Sequence, residues 1–257
     1  MYVILIIIAT SCLLFGILST LNTTSDTDAN WPALAPGFMF SNSSSGNTLH
    51  PFITESSRII GNCNLTSYQH EVFVNESLGI YLFDCSGFIT YVISRTCPEA
   101  LVEIPSSSDR PRTSDYFLFF STLPPCDPGS YGWCRVSSPE NLTAGDIIVW
   151  KKINPDADFD EELPTIGHMV IVNTYPSEIP FGDNEYIIPI TDSTGYSPHS
   201  EDTRPAGCTG IGSGKIRIKQ LPEDPVAEIF WKAYDSDSGQ LVTIMYGRYQ
   251  ISSPQVS

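Results

Sequence analysis

The sequence predicts a domain that combines helices with antiparallel strands, and three stretches carry this prediction. An apolar run, Phe88 to Ile93, follows the block Asp84-Cys85-Ser86-Gly87, whose first residue can cap a helix that begins at the cysteine. Residues 167–172 and 186–193 are apolar runs typical of buried strands. The turn-forming residues between them, 176–184, favour an antiparallel hairpin.

Cys85 has the sequence surroundings of a nucleophilic thiol. At a helix N-terminus the helix dipole favours an anion, which lowers the pKa of a cysteine. Ser86 and Gly87 are small and leave the sulfur open to a substrate carbonyl. The helix is expected to end between Arg95 and Pro98, because proline cannot continue it.

The predicted hairpin supplies a base and an acid. His168 begins one strand and Asp192 ends the other, and both are equally far from the midpoint of the turn. Residues directly opposite each other have Cβ atoms about 4.5–5.5 Å apart, within reach of an imidazole–carboxylate hydrogen bond. The spacing therefore predicts that Asp192 orients His168 as a base. His199, in the following loop, and Asn173, which is expected to point away from the ring, are the alternatives to Asp192.

Three blocks together resemble the NlpC/P60 family of cysteine peptidases. They are Asp84-Cys85-Ser86-Gly87-Phe88, Ala144-Gly145-Asp146-Ile147-Ile148-Val149-Trp150 and Gly167-His168-Met169-Val170-Ile171-Val172. Their order is more specific than any one block, and the resemblance spans residues 60–218. It implies a papain-like α+β fold, in which the helix of the nucleophile packs on an antiparallel β-sheet.

The same resemblance implies an activity. The chain is expected to be a cysteine peptidase or amidohydrolase that cleaves bacterial peptidoglycan stem peptides with Cys85, His168 and Asp192, without a cofactor or a metal. Where this chain has Asp192, the family often has His, Asn or Gln. Residues 194–204 also form a longer region than in compact members of the family.

Residues beside the triad are candidates for binding the substrate. The backbone N–H at the start of the nucleophile's helix is expected to stabilise the oxyanion, with Tyr68 and Tyr81 as candidates for a second donor. His199, Asp202 and Arg204 follow the triad closely enough to contact a substrate carboxylate, and a solvated loop is an equal alternative. The predicted substrate-binding residues are Asp84, Ser86, Tyr81, His199 and Arg204.

Composition indicates an exported protein. Residues 2–18 are almost wholly apolar and uncharged, which predicts a signal peptide or an uncleaved anchor over residues 1–21. A Ser-, Thr- and Asn-rich linker is predicted over residues 22–55, the catalytic domain over 56–252 and a tail over 253–257. Five glycosylation sequons favour a secreted eukaryotic glycoprotein: Asn22, Asn42, Asn64, Asn75 and Asn141.

The net charge of the chain limits the partners it can have. The net charge of −16 argues against nucleic acid, and a membrane is expected as a partner only if the leader is retained.

Seven cysteines are present, and the six outside the leader predict three disulfides by parity. If Cys85 is free, Cys126–Cys134 is the first expected bridge and Cys63–Cys97 the second. Cys208 is then left over.

Other interpretations of the sequence remain open. A transglutaminase-like acyl transferase also uses Cys, His and Asp in this order, whereas permuted lipid acyltransferases place His before Cys. A noncatalytic, disulfide-stapled secreted binding module is supported by cysteine parity. Residues 154–162 are acidic but lack the calcium-loop pattern, and the glycines of 207–214 favour a turn over a dinucleotide loop.

Overall fold

The computed structural model describes residues 49–153, 167–178, 183–196, 199–222, 224–234 and 239–251. The chain divides into two units, residues 1–48 and 49–257, and the first lies wholly outside the described residues. The predicted leader, most of the predicted linker, the acidic loop 154–162 and the tail lie outside them too.

Helices and strands alternate irregularly along the second unit. Its described helices are α1 (Pro51–Asn62), α2 (Cys85–Thr96), α3 (Pro98–Val102) and α4 (Thr113–Thr122), with short 3₁₀ turns at Glu76–Leu78 and Pro139–Asn141. Its described strands are β1 (Leu65–Tyr68), β2 (Phe73–Asn75), β3 (Ile80–Phe83), β4 (Gly132–Val136), β5 (Ile147–Lys152), β6 (Gly167–Val172), β7 (Ser177–Glu178), β8 (Glu185–Thr194), β9 (Gly210–Lys219), β10 (Val226–Phe230) and β11 (Gln240–Gln250).

Six antiparallel strands close into a barrel. Strand β10 pairs with both β9 and β11, which joins the two ends of the order β10-β9-β8-β6-β5-β11. Strand β4 adds to β11 outside the ring, and β1, β3 and β2 form a separate small sheet. The predicted papain-like α+β fold, with a helix packed on an antiparallel sheet, is therefore wrong. Closure follows from the length of β11, whose two ends pair with different strands and leave fewer open edges.

Side-chain alternation divides the core into two buried clusters. One cluster takes alternate residues from all six barrel strands and fills the barrel: Ile148, Val170, Ile188, Ile216, Ile229 and Ile244 are among its members. On β5 and β6 the intervening residues form the second cluster with the helices: Ile147, Val149, Met169 and Ile171 join Phe52, Phe88 and Phe120. These two strands are buried on both faces, which explains their continuous apolar sequence.

Several local predictions are confirmed. Helix α2 begins at Cys85 and ends at Thr96, close to the predicted end. Strand β6 has the predicted bounds, 167–172, and β8 extends the predicted 186–193 by one residue at each end.

One of the two expected disulfides forms. Cys126 and Cys134 are bonded, with an S–S distance of 2.07 Å. Cys63 and Cys97 are free thiols, so the predicted bridge between them is wrong. A disulfide is compatible with an extracellular protein. Among the described residues, no helix is long and apolar enough to cross a membrane.

His50 caps helix α1 as a neutral ring. Its Nδ1 accepts the Phe52 N–H at 3.3 Å, and its Nε2 lies 3.3 Å from the carbonyl oxygen of Tyr249, to which it donates. The ring lies against Gly145, whose φ of +94° and lack of a side chain permit this close approach. Burial lowers the pKa of His50, partly opposed by the Tyr249 carbonyl and by Asp146.

Acid is expected to destabilise the fold through His50. Because the pKa of the folded residue lies below the ordinary 6.5, the unfolded chain binds a proton first as the pH falls. The stabilising contribution of the neutral His50 ring is complete above the ordinary pKa of 6.5. It is lost as the pH falls through the lower pKa of the folded residue. Urea titrations between about pH 7 and about pH 5 should show a steeper loss of unfolding free energy in the wild type than in His50→Asn. Asparagine keeps a capping oxygen but cannot be protonated, so equal slopes would refute this role.

Candidate functional site

The thiol of Cys85 stands at the first position of helix α2. Asp84 is the N-cap, and its Oδ1 accepts the Gly87 N–H at 2.6 Å and the Ser86 hydroxyl at 3.1 Å. Arg110 donates from Nη2 to the other carboxylate oxygen at 2.7 Å and from Nη1 to Ser86 Oγ at 2.7 Å. Burial alone would raise the pKa of Asp84, but the Gly87 N–H and Arg110 hold it below its usual value. The carboxylate thus fixes the helix start and is fully occupied.

Burial and a basic neighbour act on the Cys85 thiol in opposite directions. Burial favours the neutral thiol, yet the charge and hydrogen bond of His168 prevail and lower its pKa. The Thr113 hydroxyl, 3.5 Å from Sγ, adds a further hydrogen bond in the same direction. The pair is arranged to hold a thiolate beside an imidazolium.

His168 connects the thiol to a carboxylate. Its Nε2 lies 2.7 Å from Asp192 Oδ2, which leaves Nδ1 as the ring nitrogen for the Cys85 sulfur. Burial alone would lower the pKa of His168, but the Cys85 thiolate and the Asp192 hydrogen bond raise it to about 9. The cysteine, the histidine and the acid therefore form the contact sequence that a nucleophilic triad requires.

The predicted contact between His168 and Asp192 is confirmed, but the predicted register is not. Ile171 pairs with Thr191, whereas direct opposition of the base and the acid would pair it with Pro189. The strands are thus shifted by two residues. Since side chains alternate with a period of two, the shift keeps both groups on one face as diagonal neighbours, and their side chains still meet.

Asp192 is fully buried among basic side chains. His199 Nε2 lies 3.0 Å from Oδ2, and Arg204 Nη2 lies 2.9 Å from Oδ1. Burial alone would raise the pKa of Asp192, but His199, the hydrogen bond of His168 and Arg204 hold it well below its usual range. The acid is therefore an anion throughout the physiological pH range.

An open cleft of about 670 Å³ leads to the thiol. Trp150, Trp231 and Tyr196 line one side, with the ring centroid of Trp231 5.2 Å from that of His168. Tyr68 lines the cleft at the end of β1, and burial, Cys85 and Asp84 all raise its pKa, with burial contributing most. Tyr68 therefore lies in the electrostatic field of the Cys85 sulfur, in the same cleft.

Comparison with protein-family models, with curated proteins and with solved structures finds no match.

Three of the five residues predicted to bind substrate are not in the cleft lining. Tyr81 is fully buried and its hydroxyl accepts a hydrogen bond from Asn62. His199 and Arg204 are buried on Asp192 and support the triad instead of facing a ligand. The other two, Asp84 and Ser86, do line the cleft, although both are nearly buried and bonded to Arg110. Of the two candidate oxyanion tyrosines, the structure favours Tyr68.

Sequence reasoning missed several residues of the site. Thr113, Arg110 and Trp231 belong to segments far from the three recognised blocks, and no local pattern marks them. The sequence offered one signal for the surroundings of Asp192. The chain is strongly acidic, and Arg204 is one of few basic residues that follow Asp192 closely in the sequence. Among the described residues, no group of three or more His, Cys, Asp or Glu side chains could hold a metal ion.

Proposed function

We propose that this protein is a cysteine hydrolase that cleaves amide bonds through Cys85, His168 and Asp192. The observation that carries the proposal is the continuous contact sequence from a buried, low-pKa thiol through an imidazole to a buried carboxylate. A purely structural histidine would not need a carboxylate on one nitrogen and a thiol on the other beside an open cleft.

The reaction follows the usual two stages of covalent catalysis. His168 Nδ1 holds the thiol proton, and the Cys85 thiolate attacks the amide carbonyl carbon to form a tetrahedral intermediate. Collapse breaks the C–N bond, and His168 gives its proton to the leaving amine. His168 then removes a proton from water, which attacks the thioester and releases the acid and the thiol. Asp192 keeps the imidazole oriented and stabilises its charge throughout.

Two donors are suited to stabilise the oxyanion. The backbone N–H of Cys85 is in the first turn of α2, where no intrahelical acceptor is available to it. Tyr68, at the end of β1 in the small sheet, lines the same cleft as Cys85 and offers its hydroxyl as the second donor. Thr209 Oγ1 accepts the Tyr68 backbone N–H at 3.2 Å and so fixes the end of β1.

Tyr68→Phe is expected to lower kcat by roughly a hundredfold with little change in KM. The ring and its packing stay, and only the hydroxyl that meets the developing oxyanion is lost. Steady-state kinetics would measure the effect, with Tyr196→Phe, another tyrosine of the cleft, as the matched comparison. A rise in KM with unchanged kcat would instead make Tyr68 a substrate-binding residue.

Peptides of the bacterial cell wall are the proposed substrates. The proposal is supported by the three blocks that resemble NlpC/P60 peptidases and by the open cleft of about 670 Å³ at the thiol. Secretion is proposed with it, since the disulfide and the apolar N-terminal sequence are compatible with an extracellular protein.

The experiment is digestion of purified peptidoglycan, with released peptides identified by mass spectrometry. Wild-type protein is expected to release stem-peptide fragments, and Cys85→Ser to release none. Adding a primary amine distinguishes hydrolysis from the transglutaminase-like alternative, which would incorporate the amine into the product. If the peptidoglycan stays intact while a small amide is cleaved in a Cys85-dependent manner, the assignment of the triad is retained and the assignment of the substrate is refuted.

A noncatalytic disulfide-stapled module has lost its main support. That alternative depended on three disulfides, whereas the described residues contain the single bridge Cys126–Cys134. Cys85, the residue that parity would have paired, is a thiol hydrogen-bonded to His168.

A further inference from the structure

One carboxylate oxygen serves two histidines. Asp192 Oδ2 is 2.7 Å from His168 Nε2 and 3.0 Å from His199 Nε2, so both rings compete for the same acceptor. The side chain of His199 is fully buried in the loop between β8 and β9 and has no access to substrate. The mechanism proposed above gives it no role.

The second ring nitrogen of His199 also faces an acceptor. Its Nδ1 lies 3.3 Å from the backbone carbonyl oxygen of Trp231, which cannot donate. The ionised carboxylate on the other side is an acceptor too, so both contacts are hydrogen bonds only if both ring nitrogens carry hydrogen. His50 shows the contrasting arrangement, because its Nδ1 accepts the Phe52 N–H and it is therefore neutral.

The surrounding charges accommodate this cation. Asp192 faces it from β8, and Asp202, on its own loop, accepts its backbone N–H at 2.8 Å. Arg204 ion-pairs with both acids, and the Cys85 thiolate offsets the His168 imidazolium, so three cations face three anions. Gly214 of strand β9 lies against the ring, and the indole of Trp231 stacks on it at 5.2 Å and 10°.

We propose that His199 is a positioning residue, a buried imidazolium that shares Asp192 with His168 and sets both the orientation of the carboxylate and the field at the thiol. The proposal rests on the proposed function of the triad. One of the two histidine contacts of Oδ2 is with His199. This contact keeps the carboxylate from rotating away when His168 changes its charge. Trp231 covers both rings and keeps water from competing for the carboxylate.

The charge of His199 has a predictable effect on Cys85 and His168. A nearby cation stabilises a thiolate and destabilises a second imidazolium. Its removal should therefore raise both the pH at which Cys85 ionises and the pH at which His168 loses its proton. Besides His199, Asp84 at the start of α2 and Asp192 on β8 act on this pair; Arg110 is bonded to Asp84 and Arg204 to Asp192, and Arg112 and Lys152 line the same cleft.

The first test needs no substrate. Cys85→Ala protein labelled with ¹⁵N-histidine contains four histidines, and single variants assign their ring signals. At neutral pH, His199 is expected to show two protonated nitrogens and His50 one. A singly protonated His199 would overturn the proposal whatever the activity of the protein.

The second test follows the rate of Cys85 alkylation by iodoacetamide against pH. His199→Gln removes the charge and His199→Phe keeps the ring on Trp231. Both should move the alkylation midpoint to higher pH and, with any cleaved amide, lower kcat roughly tenfold or more. Glu201→Gln, an exposed change on the same loop, should leave the midpoint and kcat unchanged. Unchanged midpoints in folded His199 variants, with only thermal stability reduced, would make the residue structural. Failure of all amide cleavage by the wild type would refute the proposed function but leave both readouts interpretable.

Discussion

Cys85→Ala is expected to abolish hydrolysis, with a loss on the order of a million-fold in kcat. The mechanism has no second nucleophile, because Thr113, whose hydroxyl lies 3.5 Å from the sulfur, has no base of its own among its described hydrogen bonds. Folding should be retained, since alanine removes one sulfur atom from a cleft-facing position. Steady-state assays on a cleaved amide, with circular dichroism for folding, would measure both effects.

Cys97→Ala is the matched control. Cys97 is a buried thiol at the other end of the same helix, and burial raises its pKa. Its removal should cost stability and leave kcat unchanged, and native Cys97 should resist iodoacetamide at a pH where Cys85 reacts. Equal alkylation of the two thiols, or retained activity in Cys85→Ala, would remove the nucleophile assignment.

Asp192→Asn is expected to lower kcat by about ten-thousandfold while KM changes little. An amide cannot neutralise the imidazolium of His168, and its N–H group favours the wrong tautomer of the ring. The change also leaves Arg204 and His199 buried with one anion fewer, which should cost about 3–5 kcal/mol of unfolding free energy. Kinetics below the melting temperature and urea unfolding separate the two effects.

Asp224→Asn provides the comparison for this loss. Asp224 caps the start of β10 through the Val226 N–H and has no described contact with the triad, so only stability should change. If Asp192→Asn lost stability but kept its rate, the acid would be a structural counter-ion of Arg204 and His168 would act unaided.

The sequence by itself determined the parts of the site that depend on neighbours along the chain. Asp84 caps the helix of Cys85 because an acid before a small-residue turn is a local signal. His168 begins a strand in an apolar run, and the eight-residue separation of Cys126 and Cys134 makes their bridge a short-range closure. The contact of His168 with Asp192 survived a wrong register because an even shift preserves the face of a strand.

Tertiary structure alone decided the closure of the barrel and the surroundings of the acid. Closure depends on the pairing of β10 with both β9 and β11. Whether β11 reaches β10 depends on how strongly its 11 residues twist, and the pattern of side chains does not give that twist. The same closure carries Trp231, at the end of β10, over the rings of His168 and His199. Arg204 and His199 resemble solvated loop residues in sequence. Only the folded chain shows that both side chains contact a buried carboxylate, which needs such partners.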